Sequence, residues 1–311
     1  MGTRSRTPAR NRPRRSRRRE EGENRPRLGL ALGGGGARGY AHLGVLRALD
    51  RAGIPVDAVA GTSMGAVIGG AYAGGVDLTK LEEVLKRLDL NKLLGFPHSS
   101  VWGVLGNTAA ELFTKLDWRR ADPESTQALV EFFELFTRGQ EFADLKIPFA
   151  VVTADIDTGE EVVLTEGSLG RAMAAGVAIP GIHYPVEIDG RFLVDGGLVN
   201  RVPADVAFSL LGADRVIAVD VSAELYTEEP TSSFEVLLQA ESILLRELTR
   251  LQLALAKERY GDRLLILRPA VQHIKALSLE EVEGPARAGE IETERLLPEI
   301  RSWLEMSAWA L

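Results

Sequence analysis

Two short apolar runs near the start of the chain, Leu28–Leu32 ("LGLAL") and Val56–Ala60 ("VDAVA"), have the length of strands. Each passes directly into a glycine-rich turn, "GGGGARG" after the first and "GTSMG" after the second. Beyond the first turn Tyr40, Leu43, Val45, Leu46 and Leu49 recur at helical spacing, and Gly53 and Pro55 close that helix. Beyond the second, "AVIGGAYAGG" reads as another helix. A strand–helix–strand–helix opening predicts a mainly parallel sheet covered by helices on both faces.

Further along, "LTKLEEVLKRLDL" and "TQALVEFFELFTRG" predict helices within 77–140. The stretch between them, "LLGFPHSSVWGVLGNTAAELF", mixes aromatics with turn residues, as either a cover over a site or a plain connection would. "PFAVVTADIDTGEEVVLTEG" alternates and turns at Asp157–Gly159, the pattern of a hairpin. The hairpin accounts for Asp155 as an edge polar residue and Asp157 as a turn residue. "RFLVDGG", "DRVIAVDVS" and "RLLILRP" are further strands. An amphipathic helix is expected over roughly 233–259, its leucines facing the core rather than a membrane, and a closing helix over 286–305. No internal repeat is visible. The reading is one α/β domain, 28–311, behind an N-terminal arm.

Charge separates the arm from the domain. The chain of 311 residues carries a net −7, yet residues 1–27 hold eleven arginines against three glutamates, a net of +8. That stretch has almost no apolar side chains and is expected to be disordered. It is either a solvated tail or an upstream start, or a segment attaching to anionic head groups or RNA; nucleic acid is the lesser expectation. "RRSRRRE" is followed by no apolar h-region, which argues against an export signal, and no run reaches the ~18 apolar residues of a membrane span. The expectation is a cytoplasmic protein, at most peripheral at the inner membrane face. With no cysteine, disulfides, thiolate zinc sites and a Cys nucleophile are excluded.

"GGGARG", residues 34–39, satisfies a dinucleotide fingerprint. That reading needs an acid at the end of the second strand to hold a ribose. Asp57 lies at the wrong end, and "GTSMG" occupies the required place. G-x-S-x-G between a strand and a helix is instead the context of a nucleophile elbow, with Ser63 on a strained turn between Gly61 and Gly65. Neighbouring parallel strands bring both glycine turns to one sheet edge. There Gly34, Gly35 and Gly36 can offer backbone N–H groups to an oxyanion. Arg38 either steadies that loop or faces the substrate.

The base is open between two arrangements. "LVDGG" presents Asp195 at a strand end, where burial would raise its basicity. Alternatively, Ser63, Asp195 and His273 stand in the chain order of an α/β-hydrolase triad, although that fold places more strands before its elbow. His42 in the first helix has a structural role, and His98 and His183 lie in Pro-containing loops.

With "GGGARG", "GTSMG" and "DGG" in this order, and "AIPGIHYPV" between the last two, the chain resembles bacterial patatin-like phospholipases from Leu28 to about Asp220. The resemblance implies a three-layer α/β/α fold and a lipid acyl hydrolase. Ser63 would be nucleophile, Asp195 base, and Gly34–Gly36 with Arg38 the oxyanion loop, with no cofactor and no metal. Substrates would be phospholipids, lysophospholipids or other acyl-ester lipids. "DGG" stands where some members have "DGA". A non-catalytic lipid- or nucleotide-binding module remains the alternative of another class.

Overall fold

Leu28, Leu30 and Leu32 on β1 (Leu28–Leu32) point into one core while Ala31 points into a second, and this alternation organises the protein. The computed structural model describes residues 25–88, 124–223, 233–276 and 278–305. β2 (Ala58–Thr62), β3 (Phe149–Asp155) and β7 (Arg215–Val219) alternate in the same way. Val59, Phe149, Val151, Ile217 and Val219 face the first core, and Ala60, Ala150, Val152, Val216 and Ala218 the second. Strands buried on both faces carry apolar residues throughout, as a sheet between two helical layers requires.

β4 (Glu161–Leu164), β5 (Val186–Ile188), β6 (Arg191–Asp195) and β8 (Leu264–Leu267) complete an eight-stranded sheet. Its order is β5-β6-β3-β2-β1-β7-β8, with β4 paired to β3 outside that path. β3, β2, β1, β7 and β8 are mutually parallel; β4, β5 and β6 add antiparallel pairings. The first core is closed by α1 (Ala41–Arg51), α2 (Met64–Ala73), α3 (Leu78–Arg87), α4 (Glu124–Phe136), α5 (Leu169–Gly176) and α8 (Glu283–Glu305). The second is closed by α6 (Ala204–Ser209) and α7 (Ser233–Tyr260). The result is a three-layer α/β/α architecture with a mixed, mainly parallel sheet.

The register of β3 positions the site. Its first half pairs with β2, ending at Val152 opposite Thr62. Its second half pairs with β6, beginning at Thr153 opposite Asp195. β4 runs along both halves, so it occupies the other flank, and β2 and β6 must share one flank end to end. The residue after Thr62 therefore meets the last residue of β6. Those two residues are Ser63 and Asp195.

Some expectations change. The second strand runs 58–62 rather than 56–60. Asp57 lies before it, accepting the Leu28 N–H at 2.7 Å and pairing with Arg25. Residues 25–27, counted with the arm, are tied to the domain, since the Arg27 N–H also donates to Asp214. Asp155 is buried rather than an edge residue; it accepts the Asp157 N–H and pairs with Arg191, which pins the hairpin. The aromatic stretch between α3 and α4, with His98, lies outside the described residues.

α1 crosses α8 backbone against backbone. A Cβ at Gly44 would run into the Ala286 carbonyl, and one at Gly289 into the Ala41 carbonyl. Glycine costs a helix interior about 1 kcal/mol relative to alanine, a cost this close approach offsets. Gly44→Ala should therefore destabilise the protein by about 1–3 kcal/mol, against the helix-propensity expectation of a gain. Chemical denaturation measures the sign directly.

Candidate active site

β2 delivers Ser63 into the tight turn before α2. Ser63 sits at φ 55°, ψ −127°, a region that residues other than glycine rarely occupy. A Cβ at Gly65 would strike the Leu32 carbonyl, and one at Gly61 would lie 2.5 Å from the Gly65 carbonyl. The turn is thus wedged between β1 and its own helix, which drives the hydroxyl outward. Behind it the Thr62 hydroxyl donates to the Asn200 carbonyl at 2.8 Å, and the Asn200 amide donates to Glu161 and Asp205. This buried brace joins the elbow to the loop after β6.

Asp195 is buried at the end of β6. Its backbone N–H donates to Ala178 of the "AIPG" stretch, and its carboxylate accepts the Gly197 N–H at 2.8 Å. Ser63, which the β3 register brings against it, also acts on its ionisation. Burial pushes the carboxyl's pKa above the ordinary aspartate value, and nearby Glu241 adds to the rise. Nearby Ser63, the bond from Gly197 and the charge of Arg201 act against it, but burial wins.

The glycine loop after β1 lies against this pair. A Cβ at Gly34 would stand 3.1 Å from that of Ser63, and one at Gly39 would stand 2.6 Å from that of Met64. The N–H of Gly34 donates to the Arg201 carbonyl at 3.0 Å. Gly34 is therefore not an available oxyanion donor, contrary to the expectation from sequence. The N–H groups of Gly35, Gly36 and Met64 have no acceptor among the described residues. Met64 opens α2, so its amide adds to the positive end of that helix dipole. Gly36 has φ 56° and backs onto the Ala276 carbonyl, leaving no room for a side chain.

With the turn, the acid and the loop in place, a family comparison becomes specific. The Patatin-like phospholipase family matches residues 30–208, more than half of the chain, and that span contains all three elements. The chain belongs to the patatin-like phospholipase family. It is 34% identical over 206 residues to an uncharacterized NTE family protein of Mycobacterium tuberculosis, covering 66% of this chain and 51% of that one. Identity is also 34% over 206 residues with Patatin-like phospholipase domain-containing protein 6 of Homo sapiens, covering 66% and 14%. Lysophospholipase NTE1 of Mycosarcoma maydis is 34% identical over 198 residues, covering 63% and 10%. The chain thus spans about half or less of the length of these relatives. Among solved structures, VipD from Legionella pneumophila shares the fold at a TM-score of 0.52 with 16% identity, covering 89% of this chain and 67% of that one. Human GIVD cytosolic phospholipase A2 follows at 0.50 and 12%, covering 91% and 60%.

In this patatin-like chain the remaining candidates fall into supporting places. Arg38 is buried; its guanidinium donates to the carbonyls of Val221 at 3.0 Å and Ile274 at 2.8 Å. Of the two roles open to it, it takes the first and struts the loop. The Ala37 N–H donates to Ala276 and the Tyr40 hydroxyl to Leu279, so Ile274, Ala276 and Leu279, beyond the family match, fasten the loop from outside. His42 is fully buried and its Nε2 bonds the Gly33 carbonyl at 2.8 Å. Burial pushes its pKa down to about 4, so it is a neutral donor at pH 7. His183 is buried and its Nδ1 accepts the Ile179 N–H. His273, the base of the triad alternative, is exposed.

Arg38→Ala should remove both struts while sparing the elbow. The expected result is a fall of about 10²-fold or more in kcat with KM changed little, read from steady-state kinetics on a soluble ester.

Proposed function

We propose that the protein is a serine hydrolase of lipid acyl esters, working through Ser63 and Asp195 without a histidine. One observation carries the reading: a serine held at positive φ stands against a buried carboxylate whose basicity burial raises. In the first step the Ser63 oxygen attacks the ester carbonyl as its proton passes to Asp195. The tetrahedral oxyanion is held by the N–H groups of Gly35, Gly36 and Met64 at the head of α2. Collapse breaks the ester C–O bond, and the leaving alcohol takes the proton from Asp195. A water then attacks the acyl-enzyme, giving its proton to Asp195, and Asp195 passes that proton to the Ser63 oxygen as the bond to the acyl carbon breaks and the fatty acid leaves. Family membership points to phospholipids, lysophospholipids or related acyl esters as the substrate class.

A fluorophosphonate probe tests this directly. Label should map to the Ser63 peptide, vanish in Ser63→Ala and persist in His273→Ala. Absence of label on folded wild-type protein would return the chain to the class of non-catalytic binding modules.

A further inference from the structure

We propose that the exposed leucine seam of α7 is a docking face for a zwitterionic lipid surface beside the active site. The proposal rests on the lipid-ester reading of Ser63. α7 carries apolar residues on two sides. Thr249, Leu253 and Tyr260 are buried against the second core. Leu251 and Leu255, two positions on from Thr249 and Leu253, point about 200° away round the helix, and are 56% and 64% exposed. Leu244, one heptad before Leu251, is 71% exposed, and Ile243 and Val236 extend the exposed surface toward the helix start. A leucine helix read from its sequence as core-facing thus satisfies that reading with only part of its apolar face.

The seam adjoins the site. Glu241, three residues before Leu244, acts electrostatically on Asp195. The Gln252 side chain donates to the Val199 carbonyl, in the loop just after Asp195. Leu198 in that loop is itself exposed. The helix bearing the exposed leucines is thus fastened to the loop that follows Asp195.

Chemistry chooses the occupant. From 241 to 259 the helix carries Glu241, Glu247 and Glu258 against Arg246, Arg250, Lys257 and Arg259, near balance, so apolar area rather than charge would drive docking. Two segments outside the described residues are poorly matched to an apolar seam. Residues 224–232, "ELYTEEPTS", are polar and acidic, and residues 1–24 are dominated by arginine.

The test is flotation of the full chain with phosphatidylcholine vesicles at low and high salt, since their zero net charge silences the arginine-rich arm. Wild type should float at both salt concentrations. Leu244→Glu/Leu251→Glu should lower the vesicle-bound fraction at least tenfold, with an unchanged thermal midpoint. Leu135→Glu, at a 79% exposed leucine on α4, should float like wild type. Turnover of vesicle phospholipid should fall in parallel in the double variant while turnover of a water-soluble butyrate ester stays within twofold. Undiminished flotation of the double variant would overturn the proposal. So would a wild-type dimer in sedimentation velocity that the double substitution dissolves without affecting flotation. Flotation requires no chemistry, so an inactive protein that still floats through the seam would sink the catalytic reading and leave the docking face standing.

Discussion

Ser63→Ala is expected to lower ester turnover by roughly 10⁴-fold or more, because it removes the atom that forms the acyl bond and leaves only binding and oxyanion donors. The variant should stay folded, since the elbow is held by Thr62, Gly61 and Gly65. Its stability carries a second, separable signal. Alanine retains the strain of φ 55°, whereas glycine occupies that region without penalty. Ser63→Gly should therefore be equally inactive but more stable than Ser63→Ala by about 1–3 kcal/mol. Paired denaturation curves of the two dead variants read the strain stored at the nucleophile. Equal stabilities would mean that the turn imposes no strain, and the account of the exposed hydroxyl would fail with it.

The parts of this site that sequence reveals are those set by local rules. A strand-length apolar run, a glycine turn and a helical period lie within 20 residues of one another, so the first β–α units and both glycine turns were legible. G-x-S-x-G marks the elbow because the crowding that demands glycine comes from the turn itself and the adjoining strand. The assignment of amides was not legible. The N–H of Gly34 is consumed by the carbonyl of Arg201, and the acceptors that hold Arg38 lie 183 and 236 positions away. Nothing in "GGGGARG" says which amide a distant loop will take. The brace through Thr62 and Asn200 was missed for the same reason; the only hint was an Asn five residues beyond Asp195. The strand boundary at Asp57 slipped because its carboxylate bonds a backbone N–H across to β1, a contact that hydropathy does not encode. Periodicity also could not divide the apolar face of α7 between core and surface, because both sides are leucine.

Asp195→Asn should abolish turnover and, at neutral pH, raise the thermal midpoint. The two effects share one cause. Burial holds the folded carboxyl's pKa above its unfolded value, so the folded state binds a proton more tightly than the unfolded chain does. The favourable contribution of Asp195 is complete below the unfolded pKa and is lost as pH rises through the folded one. At pH 7 the buried carboxylate is therefore a net cost, and a neutral asparagine, which can still accept the Gly197 N–H, relieves it. The proposed mechanism needs the same ionisation: kcat/KM of the wild type should rise with pH as Asp195 deprotonates, with a midpoint above the ordinary aspartate range. Thermal midpoints of wild type and variant should converge as pH falls through that midpoint, because the wild-type carboxyl is then neutral as well. A variant less stable than wild type at pH 7, or a gap that widens in acid, would mean that hydrogen bonds rather than burial govern this carboxylate. The base would then have to be sought elsewhere. Asparagine also leaves the Ser63 hydroxyl without a proton acceptor, so the stabilised variant should fail to react with a fluorophosphonate. Stability gained and nucleophilicity lost in one substitution is the signature of a carboxylate kept buried for chemistry rather than for the fold.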